Sequence, residues 1–280
     1  MKNTETKRNS VILFKYGGNA MLNEALQQKV LKNICSLKSK GKDVVIVHGG
    51  GPFIKEALET AKIESDFIDG QRVTTPEAYE HVEAALKGRV NGKLVSQINA
   101  LGCKAVGLSG KDGKIVTAKK RLHIGQTGEN KGKEIDLGRV GDIESVNPEL
   151  LNLLLENDFV PVITCIASDE QGTDYNINGD IFAGYIAGAV KAERYVILTD
   201  VDGLLHDKFD ENSLIPKIKA SEIKRLTENK TIQSGMIPKT ESCKTALETG
   251  ALAAQIINGT KPEQITQITD EKTIGTLITK

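Results

Sequence analysis

The chain has 280 residues, with 37 Lys plus Arg against 37 Asp plus Glu, which is enough length for a full core as one large α/β domain or two small ones. The even charge balance gives no global attraction to nucleic acid or to an acidic membrane, so any anion must be recognised locally. The opening residues 1–10 are polar, and no run reaches the roughly 18 apolar residues of a membrane span, so a soluble cytoplasmic protein is expected.

After that tail, Val11-Ile12-Leu13-Phe14-Lys15-Tyr16 reads as a buried strand ending in Gly17-Gly18. Residues 24–40 carry Leu26, Val30, Ile34 and Leu37 at helical spacing, closed by Gly41. A second apolar strand, 43–48, ends in Gly49-Gly50-Gly51-Pro52, where the proline suits a first helical turn. The helix–strand alternation makes a βαβ unit whose right-handed crossover sets the two strands parallel. A helix from 52 to about 61 follows, then a mixed region with a turn-like Asp69-Gly70, then an exposed-looking polar segment, 71–74. Thr75-Pro76-Glu77 reads as N-cap, N1 and acidic first turn of a long helix reaching Leu101.

Residues 104–109 form another strand, with Gly110-Lys111-Asp112-Gly113 as a hairpin signal into 115–119. The Gly-, Lys-, Glu- and Asn-rich stretch 120–138 reads as a solvent-exposed loop. A short strand at 140–146, a Leu-rich helix capped by Asn147-Pro148-Glu149 and a buried strand at 159–167 complete this half. Asp174 to Asp180 leads into a small-residue helix, 181–190, and a strand, 194–198, ending in Thr199-Asp200-Val201-Asp202-Gly203. Ser234 to Lys239 introduces a helix at 240–250, and late strands are expected at 253–258 and 274–278. The repeated β–α–β order predicts one continuous, open, mainly parallel α/β sheet with helices on both faces.

The chemistry-bearing residues cluster at the strand ends. Two glycine turns side by side aim backbone N–H groups at one point, a place for a phosphate or other oxyanion. Walker A is not matched: residues 128–134 are one residue short between the glycines and lack the Ser/Thr that would hold magnesium. GxGxxG and the protein-kinase signatures are missing too. Lys15 ends an apolar strand where a charge is costly without a partner. A lysine emerging at a sheet edge is the bland alternative, but beside Gly17-Gly18 and the Gly49–Gly51 turn the functional reading is the better one. Lys239 at a helix start opposes the dipole unless an anion sits nearby. Asp180 at a helix start is favoured regardless of function, and Asn176 and Asn178 are ordinary loop-and-cap types. Arg72 is either solvated or a bidentate carboxylate partner. His48, in a buried strand, fits a backbone-bonded histidine better than a catalytic base. The four histidines show no metal-ligand spacing, and the four separated cysteines, Cys35, Cys103, Cys165 and Cys243, fit buried free thiols in a reducing compartment.

Eight motifs in order carry a resemblance: Lys15-Tyr16-Gly17-Gly18-Asn19-Ala20-Met21, His48 to Pro52, Gly70 to Thr74, Gly107 to Gly113, Val146-Asn147-Pro148, Asn176 to Asp180, Thr199 to Gly203 and Gly235 to Lys239. Across residues 11–278 the chain resembles the N-acetylglutamate kinases of the amino acid kinase superfamily. The resemblance implies a three-layer αβα sandwich in two lobes, with an acceptor-binding and dimerising lobe at about 11–170 and an ATP-binding lobe at about 171–280. It implies phosphorylation of the side-chain carboxylate of N-acetyl-L-glutamate by MgATP, giving an acyl phosphate in arginine biosynthesis. It places Lys15 and Lys239 about the transferring phosphoryl group, with Asp180 orienting both. Gly17, Gly18 and Gly49 would surround the phosphate, with Gly50 and Gly51 also touching the acceptor. Arg72 and Asn176 would hold acetylglutamate, and Thr199, Asp200, Gly203, Gly235 and Met236 the ATP, with no metal ligand from protein side chains.

Two departures stand out. Gly179 replaces the alanine usual in the family, which loosens the helix start by about 1 kcal/mol. The tail of about ten residues is shorter than the N-terminal helix of arginine-inhibited hexamers, so a homodimer without strong arginine feedback is expected. A PII-type signalling protein is a conceivable regulatory partner, as in some relatives. The competing readings are a sister kinase of carrier-linked aminoadipate or glutamate, a kinase of another small acceptor such as carbamate or UMP, and a catalytically silent sensor on the same fold.

Overall fold

The computed structural model describes residues 9–125, 128–207, 209–269 and 274–280. Most of the polar tail expected at 1–10, and residues 126 and 127 of the loop expected at 120–138, lie outside the described residues. In chain order the elements are β1 (Val11–Tyr16), α1 (Glu24–Ser39), β2 (Asp43–His48), α2 (Gly51–Ala61), β3 (Phe67–Ile68), β4 (Gln71–Arg72), α3 (Pro76–Glu83), a π-helical segment (Ala84–Asn91) and α4 (Gly92–Ala100). There follow β5 (Lys104–Ser109), β6 (Val116–Ile124), β7 (Glu134–Val146), α5 (Glu149–Glu156), β8 (Phe159–Thr164), β9 (Ile166–Ser168), β10 (Asp174–Ile177) and α6 (Gly179–Ala189). The last are β11 (Arg194–Thr199), β12 (Lys217–Lys219), α7 (Ile223–Glu228), α8 (Met236–Thr249), β13 (Ala254–Asn258), α9 (Gln264–Gln267) and β14 (Thr276–Thr279).

An eight-stranded sheet runs β12-β14-β13-β11-β1-β2-β8-β5, parallel except where β14 turns antiparallel to β13 and takes β12 with it. Its strands β1, β2, β8, β11 and β13 are buried on both faces, so most of them read as apolar runs. Leu13, Val45 and Val47 pack under α2, α3, α6 and α8, whereas Ile12, Phe14, Val44 and Ile46 pack under α1 and α4. The expected starts of α1 and α3 hold: Asn23 Oδ1 accepts from Leu26 N–H at 3.0 Å, and Thr75 Oγ1 from Ala78 N–H at 3.1 Å.

Four expectations fail, each for a physical reason. The sheet is not continuous, because β6, β7, β9 and β10 close into a separate small barrel. The apolar run 159–167 is therefore two strands: β8 pairs with β2 and β5, and after a bend at Cys165 β9 joins the barrel. Gly110 to Gly113 is no hairpin between neighbours, since β5 pairs with β8 and the turn hands the chain from the sheet to the barrel. Finally, 120–138 is largely strand, the tip of the long β6–β7 ladder, whose solvent-facing charges masked its alternation.

Candidate active site

In the central sheet β1 lies between β2 and β11, so strand order reverses at β1, and ligands of open α/β sheets bind outside the carboxyl ends of strands at such a point. The register sets Lys15 beside Val47 and Ile197, which brings the glycines after β1, the glycines after β2 and Thr199 to one end of the sheet. Two cavities open there. One, of about 590 Å³, is lined by Lys15, Gly17, Gly18, Gly49, Gly50, Gly51, Arg72, Asn176 and Asp180 among others. The second, of about 620 Å³, is lined by Thr199, Asp200, Gly203, Gly235, Met236 and Lys239 among others. The residues to which the resemblance gave a role thus fall into two groups.

Asp180 joins them. Lys15 Nζ lies 2.7 Å from its Oδ1, a charge pair off the ideal hydrogen-bond direction, and Lys239 Nζ lies 3.5 Å from Oδ2. Burial pushes the Asp180 carboxyl up, but the Lys15 and Lys239 ammonium groups outweigh it and hold it below the usual carboxylate range. Two cations sharing one carboxylate leave a surplus positive charge where the cavities meet, an arrangement that draws in an anion. The position is fixed from behind: Tyr195 Oη donates to the Asp180 carbonyl at 3.2 Å and stands 3.1 Å from Ser242 Oγ on α8.

The two helix starts differ from their expected form. Asn178, not Asn176, caps α6: its Oδ1 accepts from Asp180 N–H at 3.0 Å and Ile181 N–H at 3.1 Å. Asn176 lies in β10, lining the first cavity. Helix α8 begins at Met236 rather than 240, so Lys239 stands in its first turn and Pro238 occupies a position whose N–H needs no intrahelical partner. That turn has no side-chain cap, and Lys239 Nζ reaches back to the Gly235 carbonyl at 3.4 Å.

The glycines divide by role. Gly18 has φ +69°, and a Cβ at Gly17 would lie 3.3 Å from Lys15 Nζ, so the ammonium rests over a bare backbone. A Cβ at Gly50 would meet Leu86 at 2.7 Å, whereas Gly49 and Gly51 face open space. Gly49 already donates its N–H to the Tyr16 carbonyl at 3.2 Å, so it shapes the loop instead of offering that donor to a ligand. Helix α2 starts at Gly51 with no side-chain cap, leaving its first turn turned toward the cavity.

The segment 71–74 is not exposed: Thr74 is fully buried and Arg72 half-buried, its guanidinium 4.6 Å from the Phe67 ring centroid and donating to Ser65 Oγ. Sequence reasoning missed Phe67, Gln71, Arg121 and Cys165 in the first cavity and Lys230 in the second. Arg121 fell in the stretch read as loop, and only the alternation of β6, with Val116 and Ala118 buried, could have signalled it. His48 is buried as a structural histidine: Nδ1–H donates to the Gly49 carbonyl at 3.0 Å, and Nε2 accepts from Asn91 Nδ2 at 2.9 Å. Among the described residues no group of three His, Cys, Asp or Glu lies together as a metal site, and no helix is long and apolar enough to cross a membrane.

The profile of the amino acid kinase family matches residues 10–258. The chain is 44% identical over 271 residues to an acetylglutamate kinase of Methanocaldococcus jannaschii, spanning 96% of this chain and 90% of that protein. It is 41% identical over 273 residues to an acetylglutamate kinase of Archaeoglobus fulgidus, spanning 96% and 93%. Among solved structures, an N-acetylglutamate synthase of Neisseria gonorrhoeae in complex with coenzyme A and N-acetyl-glutamate shares the fold, with a TM-score of 0.80 at 21% identity over 98% of this chain and 60% of that one.

Proposed function

The chain belongs to the amino acid kinase family, and we propose that within it this protein transfers the γ-phosphate of ATP to the side-chain carboxylate of N-acetyl-L-glutamate, giving an acyl phosphate for arginine biosynthesis. The observation that carries the reading is Asp180 shared by Lys15 and Lys239 at the junction of two cavities. The acceptor takes the cavity of Arg72 and Asn176, and ATP the cavity of Thr199, Asp200, Gly203, Gly235 and Met236.

A side-chain carboxyl with a pKa of about 4.3 is already an anion at neutral pH, so the reaction needs no general base. That suits an acceptor cavity with no histidine among its lining residues, His48 behind its glycines being buried and committed to structure. A carboxylate oxygen attacks the γ-phosphorus, the bond to the β,γ-bridging oxygen breaks, and ADP leaves with that electron pair. The obstacle is the approach of one anion to another, which Lys15, Lys239 and the backbone N–H groups of Gly18, Gly50 and Gly51 relieve by neutralising charge on the phosphoryl oxygens. Asp180 keeps both ammonium groups aimed at that point. Mg²⁺ carried on the nucleotide's phosphates would supply further charge neutralisation there, while Asp180 stays paired with Lys15 and Lys239.

The test is acyl phosphate trapping by hydroxylamine with ATP and either N-acetylglutamate or unacetylated glutamate. Hydroxamate and ADP forming in step with N-acetylglutamate, and far less with glutamate, is the expected result. Equal turnover of both, or of neither, overturns the reading.

A further inference from the structure

We propose that His123 and Asp69 are positioning residues for the acceptor: they latch the tip of the β3–β4 hairpin, and with it Arg72, over the acceptor cavity. The inference rests on the assignment of that cavity to acetylglutamate.

The hairpin is four strand residues about a two-residue turn, with Asp69 at φ +48° and Gly70 at φ +78°, the type I′ geometry an Asp-Gly pair suits. A two-stranded ribbon this short has no stability of its own. Yet Phe67, Gly70, Gln71 and Arg72 all wall the cavity, so the site needs the ribbon in one place. Its base is held by main chain: Thr74 N–H donates to the Leu137 carbonyl at 2.9 Å, and Arg139 N–H to the Thr74 carbonyl at 2.6 Å. Those bonds lie beyond Arg72 and leave the tip unsupported.

The tip is fastened by side chains from β6. Arg121, its Nε 2.9 Å from Asp142 Oδ1, donates through a terminal nitrogen to Gln71 Oε1 at 2.6 Å. Gln71 Nε2 faces His123 Nδ1 at 3.4 Å, and His123 Nε2 donates to Asp69 Oδ2 at 2.8 Å. The partners assign the imidazole proton to Nε2, and every donor then runs one way along the relay, from Arg121 to Asp69, so each bond polarises the next. The relay touches the hairpin within its turn, at Asp69, and directly after it, at Gln71. His123 and Asp69 are nearly buried, with side-chain exposures of 6% and 7%, although neither lines the cavity. A buried imidazole–carboxylate pair in a surface ribbon is costly unless its geometry is used, and its geometry fixes the arginine one turn away.

The experiment is steady-state kinetics of wild type, His123→Ala, His123→Gln, Asp69→Asn and the double variant, with hydrogen exchange of the hairpin amides in the same proteins without substrate. His123→Ala is expected to raise KM for acetylglutamate about tenfold, with KM for ATP and kcat within about threefold, the scale of one lost hydrogen bond to a charged partner. His123→Gln, whose amide still donates to Asp69, recovers most of the loss, and adding Asp69→Asn to His123→Ala costs nothing more. Exchange quickens at 67–72 in His123→Ala and stays unchanged in the central strands. An unchanged acetylglutamate KM in a folded variant, or equal rises for both substrates, overturns the latch. Wild type without acetylglutamate turnover defeats the functional reading instead, and unchanged exchange at 67–72 then defeats the latch separately.

Discussion

His48 shows how one residue sets the geometry of a loop it does not belong to. Its ring is clamped between the Gly49 carbonyl and Asn91, and Asn91 also donates to the Val162 carbonyl at 2.9 Å. Gly107 makes this possible, because a Cβ there would overlap the Asn91 side chain. Burial, opposed in part by the Gly49 carbonyl, pushes the His48 imidazole from 6.5 to about 4. A folded value depressed below the unfolded one gives stability that is full above pH 6.5 and is lost as pH falls toward about 4, because the unfolded chain takes up the proton first. Between pH 7 and pH 4.5 the wild type should therefore lose on the order of 2 kcal/mol more unfolding free energy than His48→Gln. Parallel losses in urea melts at the two pH values would remove this role. At this scale the sequence was legible for residues whose type is costly in place, Lys15 at the end of an apolar strand above all. It was not legible for Asn91 or Arg121, whose partners come from other parts of the fold.

Of the three glycines in helix α6, Gly179 and Gly184 make opposite demands. Gly179 opens the helix, and a Cβ there would meet Cys165 Sγ at 3.6 Å and Gly49 Cα at 3.7 Å, which is ordinary contact. Gly184 faces α8, and a Cβ there would lie 2.5 Å from the Ser242 carbonyl oxygen. The close crossing of α6 and α8 brings Lys239 onto Asp180, so the small residues of α6 serve the site through packing. Gly179→Ala is expected to stabilise the protein by about 0.5 kcal/mol through the unfolded chain's entropy. Gly184→Ala should cost about 1–3 kcal/mol and lower kcat, despite the better helix former. Both are read from thermal melts and turnover, and a stabilised, fully active Gly184→Ala would refute the crossing argument. Helices and parallel strands were readable because period and caps are local signals. The barrel was not, because the β6–β7 ladder keeps charges on its solvent face and β8 runs into β9 with only Cys165 to mark the break.

Across the whole molecule, residues from position 15 to position 239 meet because the chain crosses from one side of β1 to the other between β2 and β11. Motif order along the sequence exposed which residues belong together, and the resemblance set Asp180 between Lys15 and Lys239, but that two cavities meet at this carboxylate depends on sheet order. The proposed division into an acceptor side and a nucleotide side follows from the same switch point. If the paired ammonium groups neutralise the phosphoryl group in flight, they act on the transition state more than on either substrate at rest. The direct measurement is kcat together with nucleotide Kd for Lys15→Ala, with folding checked by thermal melt. A fall in kcat of about a hundredfold or more, with the nucleotide Kd within about threefold, is the expected result. Turnover near that of the wild type would contradict it.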